Sequence, residues 1–140
     1  SINKINKIRK IVKYIDILFL NKNELLELTK TKEISTGIKK IQKQNKNIKI
    51  ITTNSKNNVI YANKNYILKI KPPKIKLKNE NGAGDALAAM MLYLKSKGYD
   101  EKTTLKYAIA CGSYYASGKK INIKSDLIKI KKLSKKVVIS

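Results

Sequence analysis

The chain has 140 residues, a formal charge of +23, one cysteine and no histidine. That composition excludes histidine-based triads, histidine general bases, an internal disulfide and most zinc sites, so any catalysis must run on carboxylates, lysines, hydroxyls and backbone amides. Hydrophobic residues make up 42% of the chain, enough for a core, yet no apolar run has the length needed to cross a bilayer.

The start, Ser1-Ile2-Asn3-Lys4, has no apolar h-region and no cleavage site behind it, so no signal peptide and a cytoplasmic location are expected. It also lacks an initiator Met, which suggests a chain that begins inside a longer gene product. The basic residues are nearly all lysine, Arg9 being the one arginine, and they recur along the whole chain. Abundant Asn and Ile accompany them, and all three residue types share A/T-rich codons. Base readout favours the bidentate arginine fork and base stacking favours exposed aromatics beside a basic groove. No specific nucleic-acid partner is therefore expected, only a weak, salt-sensitive affinity for polyanions.

In chain order, Ile5, Ile8, Ile11 and Val12 predict a helix over residues 3–13. Ile15, Ile17, Leu18, Phe19 and Leu20 predict a buried parallel strand within Tyr14–Leu20. Asn21-Lys22-Asn23-Glu24 follows, then a helical run with Leu25, Leu26 and Leu28. Ser35–Gln44 reads as a helix with a capping-type Ser-Thr start. Ile48–Thr53 is the next buried strand, Asn54–Asn58 a turn, and Val59–Tyr61 with Tyr66–Ile70 a hairpin. Pro72-Pro73 breaks the chain before an alternating strand, Ile75–Lys78. Gly82–Lys97 predicts a helix with Leu87, Met90, Met91 and Leu94 inward and Gly98 as its stop. Asp100 caps the next helix, which buries Leu105, Ala108, Ile109 and Gly112, and a last helix spans about Ser125–Leu133 behind Asp126. Cys111 lies among small helical residues and reads as a buried side chain. The alternation of strands and helices implies an α/β layered fold with a largely parallel sheet.

Asn81-Gly82-Ala83-Gly84-Asp85 stands between a strand and a helix. The first N–H groups of a helix have no intrahelical partner, and the positive end of the macrodipole lies there. Two glycines let the backbone approach a ligand closely. Such a turn is an anion hole suited to a transferring phosphoryl group, and Asp85 on the first turn can accept a proton from an attacking hydroxyl. The same residues also read as a Gly-rich helix start with an acidic charge match.

The run Asn81–Ala89 resembles the signature of the ribokinase-like (PfkB) kinases, Asp-Thr-x-Gly-Ala-Gly-Asp. Asn21–Glu24 after a buried strand resembles that family's Asn-x-x-Glu motif, although it also reads as a plain helix cap. Ile50–Val59 resembles the family's Val-Thr-x-Gly-x-x-Gly turn, and Leu105–Ser117 the helix bordering the adenine. The resemblance covers essentially all of residues 1–140 and implies a single partial domain, the C-terminal, nucleotide-binding half of a ribokinase-like fold. It implies ATP-dependent phosphorylation of a sugar or nucleoside with Mg²⁺. Asp85 would be the base, Gly82, Ala83 and Gly84 the anion hole, Glu24 with Asn21 the metal helpers, and Asn54, Lys56, Asn57, Gly82, Gly84, Ala108 and Cys111 the nucleotide contacts. Asn79–Asn81 and Tyr107–Ser113 look more like pseudouridine kinases than fructokinases.

The chain also departs from the pattern. Asn54 and Asn57 stand where the family has glycines, and Asn79-Glu80 replaces Asp-Thr. Nothing corresponds to the family's N-terminal half, so the chain alone should lack a closed substrate pocket. An N-terminal half or a second copy is the expected partner. A non-catalytic remnant and a basic polyanion-binding module are the competing readings.

Overall fold

The computed structural model describes residues 2–55 and 57–140. They fall into two units, the first made of Ser1–Asn54 with Val59–Lys69 and the second of Ser55–Asn58 with Ile70–Ser140.

In the first unit, α1 (Ile2–Ile11) sets Ile5 and, one turn on, Ile8 against the core, and a 3-10 turn (Val12–Tyr14) buries Val12. β1 (Ile17–Asn21) buries Leu18 and Leu20 and leaves the alternate Ile17 and Phe19 half-buried, as a pleated strand must. α2 (Lys22–Thr29) begins at Asn21 and ends on Lys30, whose φ of 53° is left-handed. Cations collect at its negative end: Arg9 Nε donates to the Leu28 carbonyl at 3.2 Å, and Lys40 Nζ to that of Thr29 at 2.8 Å. α3 (Ile34–Gln44) turns Gly37, Ile38 and Ile41 inward. Its start differs from expectation. Glu33 is the cap residue and makes no side-chain capping bond, while Ser35 and Thr36 lie inside the helix. Gly37 must sit close to α2, since a Cβ there would stand 2.9 Å from Thr29 Oγ1.

β2 (Lys49–Thr53) pairs parallel with β1, Leu18 facing Ile50 and Leu20 facing Thr52. The two buried runs thus share one sheet, as their apolar composition implied. β3 (Val59–Ala62) is antiparallel to β2, with Ile51 opposite Tyr61. β4 (Ile67–Lys71) follows it in the strand order β1-β2-β3-β4. Asn63 makes the hairpin turn, its side-chain oxygen accepting from the Asn65 and Tyr66 amides. The sheet is therefore mixed, with β1–β2 its parallel part. Leu25, Ile38, Ile48 and Ile50 are fully buried at the centre of this unit, each contributing roughly 1.5–3 kcal/mol.

In the second unit the end of β4 pairs antiparallel with β5 (Val138–Ile139), a strand too short to be visible in the sequence pattern. Ile75–Lys78 is not a strand. Its alternation is real, but Pro72 and Pro73 offer no donors, and Lys78 and Asn79 spend their amides on the Ala116 carbonyl at 2.8 and 3.0 Å. α4 (Ala83–Ser96) buries Leu87, Met90, Met91 and Leu94 and stops at Lys97, before Gly98 with φ 78°. α5 (Glu101–Ala116) starts on Asp100, whose carboxylate accepts from the Thr103 amide at 2.9 Å. The Thr103 side chain, together with that amide, holds the Asp100 carboxyl below its ordinary pKa. α6 (Ile123–Ser134) carries Asp126, a buried carboxylate that accepts from the Asn122 amide at 2.9 Å and the Tyr114 hydroxyl at 3.3 Å.

Candidate functional site

The start of α4 is built unlike those of α2, α3 and α5, whose cap residues are extended. Its cap residue is Gly82, with φ 81°, a backbone region that side chains other than glycine rarely adopt. A glycine has no side chain to return to the helix amides, so none caps this end. Ala83 N donates to the Glu80 carbonyl at 3.1 Å, and Ala86 N to that of Gly82 at 2.9 Å. Between them, Gly84 N and Asp85 N meet no acceptor among the described residues. A Cβ built on Gly84 would meet nothing within 4 Å, so the space beside that residue is open. Asp85 is exposed, and no donor or cation among the described residues reaches its carboxylate. Two unpaired amides, a positive helix end and a free carboxylate on the same turn form a place for an anion next to a proton acceptor.

The surroundings in the second unit hold this turn in place. Gly112 on α5 lets the two helices close, because a Cβ there would stand 3.0 Å from the Ala83 carbonyl. The edge of the Tyr115 ring fills the space beside Gly82. Ser55, left-handed at φ 50°, donates from Oγ to Glu80 Oε1 at 2.6 Å, and Asn79 Oδ1 accepts from Asn81 N at 3.0 Å. Asn57 is exposed on the same loop as Ser55, and Lys56 lies outside the described residues. Ala108 and Cys111 are 0% and 2% exposed, packed inside the unit. Burial pushes the Cys111 thiol up to about 11, so it stays protonated and inert at neutral pH. Both residues thus shape the packing of α5, and the surface of that helix near the turn is Tyr115 instead.

Sequence reasoning missed Tyr115 and the Ser55–Glu80 bond. Tyr115 stands three residues after Gly112, on the same helical face, and that spacing was available as a signal. The Ser55–Glu80 bond joins residues 25 apart, which local patterns do not encode.

In the first unit, Asn21 and Glu24 form a complete capping box. Asn21 Oδ1 accepts from Glu24 N, and Glu24 Oε2 from Asn21 N, both at 2.9 Å. Glu24 Oε1 lies 3.8 Å from Lys4 Nζ. Asn21 pairs with Thr53, so Asn21, Glu24 and the half-buried Asn54 share the carboxyl ends of the parallel strands β1 and β2. Ligands of open α/β sheets gather at such ends. Among the described residues no group of three or more His, Cys, Asp or Glu side chains could enclose a metal ion.

The model of the pfkB family carbohydrate kinases matches residues 1–126. Among solved structures, a Clostridium perfringens protein assigned as a sugar kinase is 19% identical, with a TM-score of 0.82 over 100% of this chain and 46% of its own. An Escherichia coli protein assigned as a ribokinase II, in complex with ATP and Mg²⁺, is 18% identical, with a TM-score of 0.80 over 96% of this chain and 44% of its own. A ribokinase from Thermotoga maritima is 18% identical, with a TM-score of 0.78 over 91% of this chain and 44% of its own. Identities this low carry the fold, which is ribokinase-like α/β. The chain spans less than half the length of each of these three structures. Among curated proteins none matches it.

Proposed function

The chain belongs to the pfkB family of carbohydrate kinases, and from that premise we propose that it is the nucleotide-binding half of an ATP-dependent kinase acting on a sugar or nucleoside hydroxyl. The observation that carries this reading is the start of α4, where among the described residues the Gly84 and Asp85 amides have no acceptor and the Asp85 carboxylate no donor or cation, with open space at Gly84. These residues fit the terminal phosphates of ATP, because amides at a positive helix end hold anions without a further cation. ATP, when bound, supplies the phosphoryl group. The chain's own part is to hold that group on the Gly82–Asp85 turn and to take the acceptor hydroxyl's proton at Asp85.

Mg²⁺ keeps several waters and is usually held by one or two carboxylates together with phosphates. Glu24 suits a water-mediated role of that kind, since one of its carboxylate oxygens is committed to the capping box and the other is not. The acceptor pocket is proposed to come from a further half of the gene product or from a partner chain, in keeping with the chain's share of its structural relatives. Pseudouridine as acceptor is a finer proposal that rests on Asn79–Asn81 and Tyr107–Ser113, and a panel of sugars and nucleosides tests it.

The experiment for the site is calorimetric titration of ATP at moderate salt into the 140-residue chain and into Gly84→Asp. A Cβ at position 84 meets nothing, so this variant should keep its fold while placing a negative charge in the hole. One saturable site, lost in the variant, is the expected result. Equal binding by both chains would reduce the signal to bulk charge.

A further inference from the structure

A capping side chain grows from the Cβ of the cap residue and turns back to the amides of the second and third helical residues. At α4 those amides belong to Gly84 and Asp85, and Gly82 provides no Cβ. The space where that Cβ would stand is bordered tightly by Tyr115, with the ring's Cε1 3.0 Å away and the hydroxyl oxygen 3.2 Å away. The phenol thus brings an oxygen to the side of the helix start from which a cap normally works. That hydroxyl has no hydrogen-bond partner among the described residues, and Tyr115 is 37% exposed, so a ligand can reach it. Tyr115 is also fixed from below. Ala116 O accepts from Lys78 and Asn79, and Gly112 is pressed against Ala83, so the end of α5 and the Gly82 turn form one packed piece.

We infer that the Tyr115 hydroxyl is a third hydrogen-bond donor of the phosphate site, acting beside the Gly84 and Asp85 amides on an oxygen of the bound phosphoryl group. This rests on the ATP reading of the site given above. An O–H donor here adds a directed bond to a charged oxygen while carrying no charge itself, and it replaces a capping oxygen that would have competed with the anion for the same amides. It also gives Gly82 a purpose beyond its backbone angle, since any side chain at that position would push the phenol away.

The test compares the whole 140-residue chain with Tyr115→Phe, which keeps the ring against Gly82 and removes only the hydroxyl. ATP and adenosine are titrated into both by calorimetry at one salt concentration, and thermal unfolding is followed alongside. Loss of a hydrogen bond to a charged group should weaken ATP by about tenfold. Adenosine affinity and the unfolding midpoint should stay as in the wild type. If Tyr115→Phe binds ATP as well as the wild type does, or loses ATP and adenosine equally, the hydroxyl is no phosphate ligand and the inference fails while the site stands. If the wild type shows no saturable ATP binding, the reading of the site itself fails and the inference falls with it.

Discussion

Two helix starts in this protein carry motif residues, and they are built in opposite ways. At α2 the chain supplies its own cap, because the Asn21 and Glu24 side chains each accept from the other residue's amide. At α4 the cap is a glycine, two amides have no acceptor among the described residues, and the nearby carboxylate is unbound by any of them. A capping box contributes to stability in the absence of any ligand. An uncapped start gives up that contribution and leaves its amides available to an anion. The acidic residue on each first turn is thus put to different uses: Glu24 is tied to the backbone, and Asp85 is left available.

The contrast is tested most strongly at Asp85. In an enzyme completed by its acceptor-binding half, Asp85→Asn should lower kcat by roughly 10²–10⁴ with little change in ATP affinity, the usual size of general-base help. Steady-state rates and ATP titration on the same preparation measure both. A rate indifferent to the change would make Asp85 the equivalent of a helix-start charge and remove the contrast.

A smaller effect is expected on the backbone. Gly82→Ala forces a side chain into left-handed backbone and against the Tyr115 ring 3.0 Å away, so chemical denaturation should show a loss of about 1–3 kcal/mol. Stability equal to the wild type would mean that the turn relaxes easily and that its shape is not held by α5.

At α2 the expectation reverses. Asn21→Ala should cost about 1 kcal/mol, the typical worth of a cap, and leave ATP binding unchanged. Glu24→Gln keeps an acceptor for the capping box, so it should alter stability less than Asn21→Ala while raising the Mg²⁺ concentration needed for ATP binding. Unfolding curves and ATP titrations across a Mg²⁺ series separate the two roles, and an unchanged Mg²⁺ dependence would leave Glu24 purely a capping residue.

The smallest effect concerns acid. The Asn122 amide, with help from Lys129 and Tyr114, holds the Asp126 carboxyl below its ordinary value of 3.8. A depressed carboxylate stabilises the fold above the unfolded value, and that contribution is lost as pH falls from about 3.8 through the lower folded value. Asp126→Asn should therefore be less stable than the wild type at neutral pH, with the difference shrinking below pH 3.8. Denaturation curves across that range check the sign.

Much of this was legible because it is local. The apolar runs Ile17–Leu20 and Ile48–Thr53, the inward face of α4 and the Asp100 cap each follow from residues within a turn or two of one another. The Gly82–Asp85 turn was legible for the same reason, since glycine spacing and helix-end physics are properties of a short segment. The alternation of Ile75–Lys78 misled, because alternation is only half of a strand and the other half is a partner. Whether one exists is settled elsewhere in the chain, here by an α5 carbonyl that claims the Lys78 and Asn79 amides. Ser35-Thr36 misled in the same sense, since the register of α3 follows the packing of Gly37, Ile38 and Ile41 more than a nearby hydroxyl.

By itself, then, the sequence determined the α/β class, the places of its helices and the turn at Asn81–Asp85. The burial of Ala108 and Cys111, the bond from Ser55 to Glu80 and the Tyr115 phenol beside Gly82 were decided by tertiary structure. The physical reason is range: backbone preference and hydrophobic period act over a few residues, whereas which side chain meets an open helix end depends on how α5 packs against α4.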